Sequence, residues 1–141
     1  MRAHLPILPL LIALAGALII PVAALAFRRA AWPLAVTAAL GAAWAAVAGV
    51  RDVVAHGSRH YAVGGWAPPW GIEVVLDPLS AWSASAVAGV AAMALLASGP
   101  AVARRERDGA AAFYSLALVA LTGFLGIIAS GDMFNVFVFL E

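Results

Sequence analysis

The sequence predicts an all-α, polytopic membrane helix bundle, and three observations carry that prediction. First, 65% of the 141 residues are hydrophobic and only 11% are charged, where a soluble domain carries about 25% charged residues. Second, the charges are segregated: Arg2, Arg28, Arg29, Arg51, Arg59, Arg104, Arg105 and Arg107 all fall between apolar blocks. Third, the blocks Leu5–Phe27, Trp32–Val50, Pro78–Ser98 and Ala110–Ala129 each approach the ~20 residues needed to span a bilayer. Backbone groups in hydrocarbon must bond internally, so each block is expected as a helix. A further apolar run, 133–141, starts a fifth helix that is incomplete within these residues. The whole chain reads as part of a single membrane domain.

The first block has the look of a secretory signal, with Arg2 ahead of it and Ala24-Leu25-Ala26 near its end. Its apolar run exceeds the usual ~7–15 residues of a signal core, so a retained helix is expected. Pro6 and Pro9 occupy the entry turns, where a missing N–H matters least. Pro21 is expected to kink the inner end. In the second block, alanine with Gly41 and Gly49 suits close helix–helix approach, and Trp32 sits where amphipathic rings prefer the interface.

Residues 51–76 form the longest polar interval. The stretches 61–66 and 71–76 suggest two short strands around an Ala67-Pro68-Pro69 turn, a hairpin-like loop with Trp66 and Trp70 as anchors. An irregular capped loop fits the same local signals. Asp77-Pro78 opens the third helix as an N-cap followed by proline at the first helical position. Asp108 is the expected cap of the fourth helix. Within that helix Gly123 and Gly126 read as packing positions, and Thr122 can bond back to its own backbone. His56 and His60 are four apart, but Gly57-Ser58 intervenes and no acidic motif partner accompanies them. They read as surface or lipid-headgroup contacts rather than a metal site.

Alternating helices put Arg28, Arg29, Arg104, Arg105 and Arg107 on one side, and Arg2, Arg51 and Arg59 on the other. The positive-inside rule then makes the first group cytoplasmic and the N-terminus external. A formal net charge of +1 without a basic face argues against a nucleic-acid partner. There is no cysteine and no lysine, so disulfides and thiolate metal sites are excluded. No cofactor-binding motif, metal-ligand cluster or nucleophile–base pair is apparent.

Chemistry is concentrated at Asp132, Asn135 and Glu141. Asp132 follows Gly131 and precedes the apolar run, so it is foremost an N-cap, with a direct part in proton movement as the lesser reading. Asn135 reads as an interfacial polar residue. Glu141 lies about 12 Å along the helix from Met133, close to the midplane of a hydrocarbon core ~30 Å thick. A carboxylate at that depth costs ~2.5–3.5 kcal/mol or more unless paired or wetted. Phe134, Phe137 and Val138 share its face, so the partner must come from another helix. Desolvation raises a carboxylate's proton affinity and a nearby cation lowers it, and a group poised between the two can load and release a proton. Glu141 is therefore a candidate proton-relay residue. A packing pair, or the end of a truncated piece, are the alternatives.

Gly-Trp-Ala-Pro-Pro-Trp-Gly-Ile-Glu at 65–73, Leu-Asp-Pro-Leu-Ser-Ala at 76–81, Phe-Tyr at 113–114 and Gly-Asp-Met-Phe-Asn-Val-Phe-Val-Phe-Leu-Glu at 131–141 together resemble a known family. It is that of the antiporter-like membrane subunits of Mrp-type cation/proton antiporters, respiratory complex I and membrane-bound hydrogenases. The closing motif is most similar to the D subunit of the Mrp antiporters. The resemblance implies an external N-terminus, an outer hairpin between helices two and three, and a bacterial inner-membrane location. It also implies that Glu141 matches the fifth-helix glutamate, which pairs with a lysine on the seventh helix in moving protons. Family members are several times longer, so these residues read as an N-terminal piece whose partner lysine lies elsewhere.

Three functions follow as expectations. The first is a subunit exchanging a monovalent cation, sodium foremost, for protons alongside other membrane subunits. The second is a proton-pumping subunit of an NADH:quinone oxidoreductase or a hydrogenase. The third is an accessory helical subunit serving assembly.

Overall fold

The computed structural model describes residues 4–66, 71–105 and 109–141. Its helices are α1 (Leu8–Ala26), α2 (Ala31–His56), α3 (Pro78–Arg105), α4 (Ala110–Ala129) and α5 (Met133–Leu140). The strands β1 (Arg59–Ala62) and β2 (Glu73–Leu76) lie between α2 and α3. Among the described residues, four helices, α1 to α4, are long and apolar enough to cross a membrane. The architecture is the all-α membrane bundle that the sequence predicts, with one small antiparallel sheet.

Packing rests on small residues. Ala13, Ala35, Ala39, Ala42 and Ala88 have no exposed surface, and Ile20, Tyr114 and Leu118 fill the gaps between them. Lipid tails are as apolar as these side chains, so association depends on close backbone approach and on hydrogen bonds rather than on water release. Gly16 shows how close: a Cβ there would stand 2.5 Å from Ala38 Cβ and 3.0 Å from Leu118 Cδ1. The Ser115 hydroxyl donates to Ala17 O at 2.6 Å, joining α4 to α1. Trp32 Nε1 donates to Leu95 O at 3.1 Å, and the indole also lies against Gly99, so Trp32 ties α2 to α3. Thr122 bonds back to Leu118 O at 2.8 Å, as its position in a helix allows. The outward faces carry Leu18, Val22, Trp44, Val54, Trp82, Met93, Leu116 and Phe124, all more than half exposed. In a membrane these meet lipid or neighbouring helices.

Two helices outrun their apolar blocks. The sequence predicts an end at Val50 for the second, but it continues to His56. Arg51 and Asp52 therefore lie in the helix and not in a loop, and so does His56. Buried Val53 packs against Leu76 and Ala81 there, and the extension ends at Gly57, whose φ of 80° favours glycine. Likewise α3 passes through Pro100 to Arg105. Proline costs one backbone bond at that point without breaking the helix. Pro21 also lies inside an unbroken α1, which begins at Leu8 rather than Leu5.

The hairpin-like loop is present. Arg59 pairs with Leu76, and the register runs to Ala62 opposite Glu73. A short 3₁₀ turn at Val63–Gly65, with positive φ at Gly64 and Gly65, leads out of β1. Val63 N donates to Ile72 O at 2.9 Å and extends the ladder. The expected turn at Ala67-Pro68-Pro69, and Trp70 with it, lie outside the described residues, as does Asp108. Helix α4 opens behind Gly109 without a side-chain cap.

Candidate functional site on the fifth helix

The hairpin end of the bundle holds most of the polar side chains. Asp52 on α2 is buried, and Arg59 on β1 approaches it with Nε at 2.7 Å and a terminal nitrogen at 3.4 Å. Reasoning from the sequence misses this pair, although a carboxylate and a guanidinium seven residues apart across Gly57 are a readable signal. His56 Nδ1 lies 3.1 Å from Asp52 Oδ1, one turn along α2. His60 instead belongs to β1 and sits 2.9 Å from Glu73 Oε1 across the sheet. The two imidazoles thus have separate carboxylate partners on separate elements. His4 Nδ1 meets the Tyr61 hydroxyl at 3.1 Å, bringing the start of the chain to the same end. Among the described residues no three metal-ligating side chains converge.

Two of the three helix entries at this end, those of α3 and α5, are capped by aspartate, while α1 has no side-chain cap. Ser80 N donates to Asp77 Oδ1 at 2.7 Å, and Asp77 N donates to Ser80 Oγ at 2.8 Å, a reciprocal box at the head of α3. The Ser80 N–H above all, against some loss of hydration, holds the Asp77 carboxyl below its ordinary range. At the head of α5, Asp132 Oδ1 accepts from Asn135 N at 2.7 Å. Asp132 thus does the work of an N-cap. The loop before it is pinned to the hairpin: Gly131 N donates to Glu73 O at 3.0 Å, and Ser130 bridges Val74. A Cβ on Gly131 would stand 2.9 Å from Val75 Cγ2, so the strand reaches this loop only because it is glycine.

Helix α5 has two unlike faces. One carries Phe139, whose ring lies directly on Gly126, while its carbonyl oxygen would be 2.9 Å from a Cβ on Gly123. The two glycines of α4 are packing positions for α5. Asn135 falls one turn before Phe139 on this side and has 0% exposure. Its side-chain Oδ1 and Nδ2 have no hydrogen-bond partner among the described residues. Asn135 is enclosed, because α4 presents glycines and draws that face inward, a burial that its reading as an interfacial polar residue does not anticipate. The other face carries Phe134, Phe137 and Val138, exposed by 76%, 64% and 52%. Glu141 follows Leu140 in angular line with them, exposed, and among the described residues it has no ion-pair partner.

No family model matches the sequence, but relatives and a solved structure do. The chain is 41% identical over 145 residues to NADH-quinone oxidoreductase subunit N of Desulforudis audaxviator (strain MP104C), covering 100% of this chain and 28% of that protein. It is 40% identical over 85 residues to the probable K(+)/H(+) antiporter D subunit of Rhizobium meliloti (strain 1021), covering 60% of this chain and 15% of that protein. The fold superposes with a TM-score of 0.89 and 28% identity on a chain of an archaeal respiratory membrane complex, the membrane-bound sulfane sulfur reductase. That match covers 98% of this chain and 28% of the other. The chain belongs to the antiporter-like membrane subunits. It spans 28% of the length of the oxidoreductase relative. This antiporter-like subunit is accordingly a multi-pass membrane protein.

Proposed function

We propose that the protein carries protons across the membrane in exchange for a monovalent cation, with Glu141 as the group that binds and releases the proton. The observation that carries this reading is the placement of Glu141. It stands about 12 Å along α5, on the face that no described residue covers. A carboxylate at such depth is expensive unless another charge or water meets it, which makes it functional by default. Covered by a cationic side chain from beyond these residues, it holds a proton less tightly; left in hydrocarbon, it holds one more tightly. Alternation between those surroundings is a relay. Asp132 serves this by starting the helix that delivers Glu141, and its cap bond leaves one carboxylate oxygen for any part in proton entry.

The likeness of 131–141 to the D subunit of Mrp antiporters supports cation exchange, with sodium as the first cation to test. The reading includes other membrane subunits as partners, a bacterial cell membrane, and an N-terminus on the outer side together with the hairpin. A second reading, a redox-driven proton-pumping subunit, is favoured by the match over the whole of this chain to an NADH-quinone oxidoreductase subunit. The protein, expressed from its own gene with its neighbours in inverted membrane vesicles, separates the two. Cation exchange predicts that added NaCl or KCl collapses an imposed pH gradient. A redox pump predicts a pH gradient built by NADH oxidation and indifference to either salt. If neither occurs, the assembly role is what remains.

A further inference from the structure

The carboxamide of Asn135 is the one enclosed polar group of the candidate region, among the described residues, whose bonds are unaccounted for. Asparagine offers two N–H donors and a carbonyl acceptor, and a buried amide without partners is costly enough that proteins rarely keep one. Here both ends are bare among the described residues, at 0% exposure. The backbone N–H of the same residue is used by the Asp132 cap, so that donor is satisfied and the side chain is not. An apolar residue of similar size would pack in the same place without that cost.

We propose that Asn135 is a hydration site: it binds water in the seam between α4 and α5 and forms the first wet station between the hairpin end and Glu141. The chemistry selects water. A cation would engage Oδ1 alone and face the donors of Nδ2, and an anion would engage Nδ2 alone. Water donates and accepts, and so serves both ends. Position agrees, because Asn135 lies about 3 Å along α5 from Met133, within reach of the interface, and about 9 Å short of Glu141. Asn135 faces α4 and Glu141 the outward side, so the separation exceeds that axial figure, and the file, with ~2.8 Å between waters, rounds the helix rather than following the seam that Phe139 closes. Along such a file each water takes a proton from the side of the hairpin and passes another onward, so the last transfer protonates the Glu141 carboxylate with no other bond changed. In this structure the seam is shut around the amide. Water enters when the first turn of α5 parts from α4, while Phe139 on Gly126 keeps the next turn seated. This inference rests on the reading of Glu141 as the proton carrier for its purpose and for the exchange arm of its test, while the labelling arm is independent of it.

The test uses the protein expressed from its own gene, with its partner subunits, in native membranes. These 141 residues contain no cysteine, so single cysteines can be compared against the parent. Asn135→Cys should react with a membrane-impermeant methanethiosulfonate at least about tenfold faster than Ala88→Cys, placed in the fully buried core of α3. Equal rates would overturn the hydration site. In the same membranes Asn135→Leu should slow proton exchange about tenfold, and Asn135→Ser, which keeps a polar group and room for water, should recover part of it. Parent-rate exchange by the leucine variant would also overturn the proposal. If that variant fails to assemble, the labelling rates alone decide. Exchange that survives Glu141→Gln would remove the relay and leave hydration of Asn135 to stand or fall on the labelling.

Discussion

Helices α1–α4 and helix α5 are built by opposite rules. The first four meet through alanine and glycine, and their interior hydroxyls and indole find backbone carbonyls: Ser115 to Ala17, Trp32 to Leu95, Thr122 to Leu118. Helix α5 touches the bundle along α4 alone among the helices with substantial contact. It buries an amide with no partner among the described residues and turns a row of aromatics and a carboxylate outward. A bundle with its polar groups satisfied is a scaffold. An element that carries unsatisfied polar groups in a dry setting has them for something that is absent, or for something that moves. The proposed proton carrier therefore sits on a helix whose substantial packing among the described residues is with α4.

The contrast can be broken from either side. The largest effect is expected at the α4–α5 seam. Gly126→Leu would push Phe139 off its seat and cost about 1–3 kcal/mol by overpacking, read as reduced survival of the folded protein on heating in detergent. Survival equal to the parent would mean that α5 is not seated there. Next comes Asp52→Ala, which strands Arg59. The guanidinium is one-third exposed, so water offsets part of the loss and about 1–2 kcal/mol is expected. That loss should leave proton exchange per folded molecule unchanged, since the pair belongs to the scaffold. Asp132→Ala removes a cap worth about 1 kcal/mol, and Asp132→Asn should restore most of it. Failure of asparagine to restore exchange would give the Asp132 charge a part in the mechanism.

The smallest effect is a slope in pH. The Asp77 carboxyl binds its proton less tightly in the folded protein than in the unfolded chain. Its stabilisation is therefore complete above the unfolded value of about 3.9 and is lost as pH falls through the lower folded value. Thermal survival should decline on acidification below about pH 4, and Asp77→Asn should flatten that part of the decline.

Much of the scaffold is legible in the sequence because it follows from local rules. Span length, the Asp77-Pro78 entry and the Gly131-Asp132 cap each depend on a few adjacent residues. The strand at 73–76 falls within the expected 71–76, whereas the first strand is 59–62 and not 61–66, because Gly64 and Gly65 take positive φ and turn the chain. The course of the chain also brings 28–30 and 103–105 to the end opposite the hairpin, in keeping with the grouping of arginines. What escapes depends on residues far apart. Arg51-Asp52 resembles the end of a span because two charges interrupt the apolar run. Only the arrival of Arg59 and of Leu76 makes those turns part of α2. The enclosure of Asn135 escapes because polarity along a helix does not say which face meets a neighbour. Gly123 and Gly126, a helix away, decide that. Glu141 is singled out in the sequence by its expected depth alone, and depth names no partner.

The most direct test of the central claim is Glu141→Gln in the full complex, which keeps the side chain's shape and removes its ability to carry a proton. Cation-dependent collapse of a pH gradient in inverted vesicles should disappear while the assembled protein stays at parent amounts in the membrane. Exchange at the parent rate would contradict the account and return Glu141 to the scaffold.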